Sequence, residues 1–176
     1  MADSRPERFS IIVMGPSGVG KTTTAEGIAN HLGLAFAEAD EFHPPANIEK
    51  MSNGIPLDDD DRAPWLETLR DWISEKARGG EDTVLTCSAL KRRYRDVLRE
   101  ADARVRFLEL VIDQETVAGR LAKRKGHYMP ASLLASQFSA LEELGADEDG
   151  VKVTVDAAPE IVIERAIEAM GLAGKD

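Results

Sequence analysis

Apolar and polar positions alternate along this chain in two distinct rhythms. Residues 9–14 form an apolar run that ends at a glycine-rich turn, whereas 22–32 carry apolar residues at helical spacing and stop at Gly33, a residue suited to the left-handed end of a helix. Residues 34–39, 83–87, 105–112 and 151–155 are further short runs rich in apolar or β-branched side chains, so five strands are predicted. Between them, helical spacing predicts helices at 46–53, 64–78, 91–100, 114–123, 130–143 and 159–170. Pro64, Pro130 and Pro159 stand at the expected first turns, where a missing N–H costs nothing. Strands alternating with helices imply an α/β fold: a five-stranded, mainly parallel sheet covered on both faces, joined by right-handed crossovers.

Two segments break the alternation. Residues 41–62 contain His43-Pro44-Pro45 and the acidic run 58–61, and 124–130 is basic with Gly126 inside it. Long irregular insertions in a compact domain tend to be lids or binding loops. At 176 residues, 43% hydrophobic and 31% charged, with no repeat or linker, residues 1–176 read as one domain able to bury roughly 70% of its unfolded surface. Within it, about 40–63 is expected to be an acceptor-binding insertion and about 120–136 a lid.

Cys87 is the sole cysteine, which excludes an intrachain disulfide. No apolar stretch approaches a membrane span and the N-terminus lacks an export pattern, so a soluble, cytoplasmic protein with no membrane partner is expected. Net charge is −10, from 22 basic and 32 acidic residues, which argues against a nucleic-acid partner because that affinity rests on Lys and Arg neutralising phosphates. Basic clusters at 91–95 and 120–125 suit a small anion instead.

Gly15-Pro16-Ser17-Gly18-Val19-Gly20-Lys21-Thr22 matches G-x-x-x-x-G-K-[ST], after a predicted strand and before a predicted helix. The spelling follows from the chemistry. Glycine lets backbone N–H groups approach phosphates, and these converge with the helix N-terminus on an anion. Lys21 then reaches the β- and γ-phosphates, Thr22 offers its hydroxyl to magnesium, and Thr23 follows in the same turn. ATP with Mg2+ is the expected ligand, since no Asn-Lys-x-Asp string of the guanine-reading kind is present.

The acceptor side is read from the remaining polar residues. Asp40 ends the second predicted strand, at the edge where open α/β sheets bind ligands; it either accepts a substrate hydroxyl proton or holds water on magnesium. Glu38 would share its strand face. His43, Asn47 and Lys50 follow at spacings of four and three, able to grip hydroxyls and a carboxylate or to serve structure alone. The run 58–61 lacks the glycine and closing glutamate of an EF-hand, so its acids are expected to cap the helix at Pro64, with Arg62 clamped among them toward a ligand. Ser88 is either an N-cap or a ligand contact. Lys91 at a helix N-terminus is opposed by the macrodipole unless an anion sits there, and Arg95 lies one turn on along the same face. Cys87 is read as core, because phosphoryl transfer needs no thiol. Arg120 and Arg124 either favour a helix C-terminus or belong to a lid that closes on the transferred phosphoryl group.

Taken together, these segments resemble the gluconokinases, P-loop kinases related to shikimate kinase and adenylate kinase. The strings that carry the resemblance keep their order over nearly the whole chain. They are Gly15 to Thr22, Asp40-Glu41-Phe42-His43-Pro44, Asn47-Ile48-Glu49-Lys50-Met51, Pro56-Leu57-Asp58-Asp59-Asp60-Asp61-Arg62, Pro64-Trp65-Leu66, Cys87-Ser88-Ala89-Leu90-Lys91, Tyr94-Arg95-Asp96, Arg124-Lys125-Gly126-His127 and Ser136-Gln137-Phe138. The resemblance implies a P-loop three-layer αβα sandwich and phosphorylation of D-gluconate at its C6 hydroxyl by ATP, feeding the pentose phosphate or Entner–Doudoroff routes, in a homodimer. It implies catalytic roles for Lys21, Asp40 and Arg124, and sugar-acid contacts at Lys91 and its neighbours, with His127 and Gln137 added. Many relatives have Asp-Gly-Asp where this chain has Glu38-Ala39-Asp40, and a proline where it has Leu144. A shikimate kinase would be expected to show three glycines in place of Ser88-Ala89-Leu90, and a nucleotide-binding regulatory module would not need the acceptor residues.

Overall fold

Strand β1 (Phe9–Met14) is the middle of a five-stranded parallel sheet ordered β2-β3-β1-β4-β5. The others are β2 (Ala35–Glu38), β3 (Thr83–Thr86), β4 (Arg104–Val111) and β5 (Gly150–Thr154). The computed structural model describes residues 7–16, 18–112, 115, 116, 119 and 131–173, with 131–134 as backbone only. All five predicted strands are present, β1 with its predicted bounds and the others within one residue at each end.

Because the sheet is covered on both faces, β1 is apolar along its length rather than alternating, and its period of two divides it between two cores. Ile11 and Val13 pack with Ala25 and Ile28 of α1 (Lys21–Leu32) and with Val162 and Ala166 of α6 (Pro159–Ala169). Ile12 and Met14 face Leu66, Leu69 and Ile73 of α3 (Asp59–Arg78) and Leu98 of α4 (Arg92–Arg99). Gly33, at φ 69°, closes α1 as its sequence predicts.

Two helix starts differ from expectation. Helix α3 begins at Asp59, five residues before Pro64, which lies inside it. Asp58 and Asp61 form a capping box, each side chain accepting from the other's backbone N–H at 2.7 and 3.0 Å. That cap and three carboxylates in the first turn complement the helix dipole, while a proline so near the start costs one hydrogen bond. Helix α4 starts at Arg92 with Lys91 at the N-cap, so Ser88 is not the cap; three residues separate it from the helix, with Ala89 at φ 46°. The remaining helices are α2 (Pro45–Ser52) and α5 (Ala131–Ala140), the latter ending three residues earlier than predicted. Most of the predicted helix 114–123 lies outside the described residues.

Arg95 sits in the second core rather than along an exposed face with Lys91. It is fully buried, donates to both Glu148 oxygens at 2.8 and 3.0 Å and gives a third bond to the Ala89 carbonyl at 2.8 Å. Arg99 and the Gly145 N–H also donate to Glu148. Burial alone would raise the Glu148 carboxyl, but these donors and the two guanidinium charges outweigh it and hold it at about 2. Arg95 thus has no surface to offer a ligand and instead pins the loop after β3 to the segment before β5.

Glu148→Gln leaves the buried Arg95 charge unbalanced and is expected to cost about 3–5 kcal/mol, read as a lower urea midpoint. A depressed carboxyl stabilises above its unfolded value of 4.5 and loses that contribution as pH falls through its folded value. The gap between the two proteins should therefore be constant near neutrality and shrink from about pH 4.5 toward about pH 2.

Candidate active site

Three strands end at one level. Val13 and Glu38 are both register partners of Thr86, so the segments leaving β1, β2 and β3 emerge together along the carboxyl edge of the sheet. Hydrogen bonds tie two of them: Gly15 N–H donates to the Ser88 carbonyl at 3.2 Å and Cys87 N–H to the Val13 carbonyl at 3.1 Å.

The first segment is the glycine-rich loop. Gly15, Gly18 and Gly20 have φ of 142°, 84° and 97°, a region that disfavours side chains. A Cβ on Gly15 would also lie 3.0 Å from Val19 Cγ1 and 3.2 Å from the Leu110 carbonyl oxygen. The loop bends back over β1 and delivers its amides to the start of α1, the geometry of an anion cradle. Ser17 lies outside the described residues. Lys21 Nζ lies beneath the loop, donating to the carbonyls of Gly15 at 2.8 Å and Pro16 at 3.1 Å. Burial lowers its pKa to about 8, against the opposing charges of Asp40, Cys87 and Glu38. The Thr22 hydroxyl donates to Glu38 Oε1, which gives Glu38 a definite place in the site, and Thr23 is exposed in the same turn.

The second segment leaves β2 as a short 3-10 turn, Ala39–Phe42. Asp40 on this turn is almost fully exposed, its Oδ1 4.0 Å from His43 Nε2. His43 is buried and stacks on Trp65 with ring centroids 4.2 Å apart and planes 15° apart. Trp65 is itself fixed by an Nε1–H bond of 2.7 Å to the Ala39 carbonyl. Asn47 Nδ2 lies 3.2 Å from His43 Nδ1 and donates to the Asp61 carbonyl at 2.9 Å. Burial and, less strongly, the nearby Arg62 charge lower the His43 pKa while Asp40 raises it, and the net direction is down, so the ring is neutral at physiological pH. Lys50 does not reach out of α2 alone; its ammonium bridges both Asp61 oxygens at 3.0 and 2.8 Å.

The third segment joins β3 to α4 and meets the start of α3. Arg62 is oriented by Tyr94 rather than by the neighbouring carboxylates: Nη1 donates to the Tyr94 hydroxyl at 3.0 Å and the guanidinium stands 5.4 Å from the ring centroid. The Tyr94 hydroxyl donates to Asp59 Oδ1. Lys91 Nζ, 3.3 Å away, and Arg93 Nη1, 2.6 Å away, donate to the same carboxylate. Sequence reasoning overlooked Asp59 and Tyr94, although Tyr94 follows Lys91 at helical spacing and is the only hydroxyl-bearing aromatic in that basic cluster. Cys87 is buried and its thiol is pushed up to about 12, chiefly by burial, in keeping with a packing role.

On the other side of β1, the ends of β4 and β5 line a cavity of about 460 Å³ formed by Val111, Ile112, Thr116, Thr154, Val155, Asp156 and Ala157. No sequence pattern singled out these residues, because they come from segments far apart in the chain. Arg120, Arg124 and His127 lie outside the described residues, whereas Gln137 is in α5 and half-buried. For a metal, Thr22, Glu38 and Asp40 offer hard oxygen donors beside the cradle. Among the described residues no cluster of three or more His, Cys, Asp or Glu side chains is placed to hold a cation. That donor set fits Mg2+, which keeps few protein ligands and completes its shell with water and phosphate oxygens.

A family model described as an AAA domain matches residues 11–144. The chain is 50% identical over 157 residues to a gluconokinase of Gluconobacter oxydans (strain 621H), covering 89% of this chain and 88% of that one. An unliganded sugar kinase from Janibacter sp. HTCC2649 superimposes with a TM-score of 0.89 and 52% identity over 96% of each chain. A gluconokinase from Sinorhizobium meliloti 1021 does so with a TM-score of 0.85 and 41% identity, over 95% of this chain and 94% of that one.

The lowered Lys21 pKa has a measurable consequence. Phosphate binding favours the ammonium, and the free side chain loses its proton as pH rises through about 8. Affinity for ATP should therefore fall between about pH 7 and about pH 9, with proton uptake on binding seen as a buffer-dependent heat. In Lys21→Met, binding should be weak and this pH dependence absent.

Proposed function

The chain belongs to the gluconokinase family, and on that premise we propose that it transfers the γ-phosphoryl group of ATP to the C6 hydroxyl of D-gluconate, giving 6-phospho-D-gluconate and ADP. The observation that carries this reading is the shared edge of β1, β2 and β3, which sets the cradle of Gly15 to Thr22 beside Asp40 and beside the cations Arg62 and Lys91.

In this reading the cradle amides and Lys21 hold the β- and γ-phosphates, while Lys21 exchanges its two loop carbonyls for phosphate oxygens. The cavity at the ends of β4 and β5 lies on the cradle's far side from the acceptor residues and suits the nucleotide base. Thr22, with Glu38 and Asp40 behind it, would hold magnesium, which when bound neutralises charge on the phosphate oxygens. Asp40 receives the proton of the C6 hydroxyl. The gluconate carboxylate faces Arg62 and Lys91, and Lys91 can leave the half-exposed Asp59 for it cheaply, because an exposed ion pair is worth only about 0–1 kcal/mol. Ser88, Lys50 and Gln137 are assigned to the wall of the acceptor site, with the buried Asn47 supporting it from behind. Arg120, Arg124 and His127 are assigned to a lid that brings positive charge to the transferred group and excludes water. A cytoplasmic homodimer supplying the pentose phosphate route completes the proposal.

ADP release measured by a coupled assay should depend on both D-gluconate and Mg2+, with shikimate, gluconate epimers and AMP giving little; stimulation by another acid but not gluconate would overturn the substrate. Asp40→Asn should lower kcat about 10²-fold and leave the KM for ATP within about twofold. Near-normal turnover would remove Asp40 as the base. Tyr94→Phe frees Arg62 and loosens Lys91, so the KM for gluconate should rise about tenfold, as losing one hydrogen bond to a charged group implies, with the KM for ATP unchanged.

A further inference from the structure

We propose that His43 is a positioning residue for Asp40: its tautomer is fixed by Asn47 so that the Nε2–H faces the Asp40 carboxylate and turns it toward the acceptor hydroxyl. The inference rests on the reading of Asp40 as proton acceptor and adds the group that orients it.

Asp40 needs such a group. Its side chain is 91% exposed, on a one-turn helix, and an exposed carboxylate there samples several rotamers in water. His43 is the opposite case. Its side chain is only 4% exposed, too enclosed to grip a sugar acid, which leaves the structural side of the two sequence readings, and it is held from two directions. Trp65 fixes the ring plane by stacking at 4.2 Å, and Trp65 is anchored to the carbonyl of Ala39, the residue before Asp40. Asn47 fixes the ring's remaining freedom.

The protonation pattern follows from hydrogen-bond logic. The Asp61 carbonyl can only accept, so the Asn47 atom 2.9 Å from it is the amide nitrogen. The same nitrogen lies 3.2 Å from His43 Nδ1 and turns its second N–H there. Nδ1 must then be the unprotonated acceptor, because a proton on it would set two donors against each other in a buried site. The proton of the neutral ring is left on Nε2, 4.0 Å from Asp40 Oδ1. That separation exceeds a hydrogen bond, and catalytic contacts of this length commonly tighten when substrate closes the site. Packing alone would not ask for this chain. A phenylalanine would stack on Trp65 equally well, without the desolvation of a buried imidazole and of Asn47, which is 2% exposed.

The test combines the unaltered protein with variants. In ¹⁵N-histidine NMR spectra of the wild type, the ring held by Asn47 should show the Nε2–H tautomer, and an Nδ1–H ring at His43 would overturn the proposal without any mutation. His43→Phe should lower kcat with gluconate about tenfold while the KM for ATP is unchanged, and His43→Gln, whose amide N–H reaches near the Nε2 position, should recover part of the loss. Combined with Asp40→Asn, His43→Phe should cause no further loss; an additive loss would show that His43 acts independently of Asp40 and would sink the idea. If Asp40→Asn by itself keeps near-normal turnover, the proton-acceptor reading fails, and this inference with it, in an experiment that involves no His43 variant.

Discussion

The parallel register of β1 between β3 and β4, with β2 beyond, is the constraint on which the site depends. Parallel pairing aligns strand ends of the same polarity, so Met14, Glu38 and Thr86 release their chains at one edge. The glycine-rich loop, the Asp40 turn and the loop to Lys91 therefore converge without any contact among them being needed to bring them there. Burial of the sheet on both faces holds that alignment, since a one-residue slip of β1 would exchange Ile11 and Val13 with Ile12 and Met14 between two differently shaped cores.

On this frame the protein distributes its ion pairs by depth. Arg95 and Glu148 are fully enclosed and cross-bonded, so they behave as a fixed brace beneath the loop after β3, and the strained Ala89 conformation is held by it. Lys91 and Arg93 meet Asp59 where all three are partly solvated. There water screens the attraction, and one carboxylate can replace another at low cost. The same acid-rich sequence thus yields a rigid buried brace and a loosely held surface cluster, and solvent access separates them.

The region around the Asp40 turn and the start of α3 is also layered around neutral groups. Trp65, His43 and Asn47 form a buried polar chain from the start of α3 to the turn carrying Asp40, while Tyr94 links Arg62 to Asp59 and so to Lys91. Arg62 and Asp59 thus meet through an uncharged phenol, and the Asp40 turn rests on uncharged rings and an amide, whose hydrogen bonds persist without the cost of burying further charge.

The sequence by itself determined the five strands, the end of α1 at Gly33 and the cradle, because strand periodicity, a left-handed helix end and a contiguous eight-residue loop are local properties. The resemblance to gluconokinases was legible for the same reason: its motifs are short strings in fixed order. Where two local signals competed, only the fold chose, as when the capping box at Asp58 and Asp61 prevailed over Pro64 as the start of α3. Helical spacing put Arg95 on one face with Lys91, but whether that face is wet depends on Glu148, more than fifty residues away. Glu38 meeting Thr22, Tyr94 meeting Asp59 and the cavity at the ends of β4 and β5 were likewise tertiary outcomes. Each joins segments that no period or motif relates, and their proximity is set by how the strands align and how the helices pack over them.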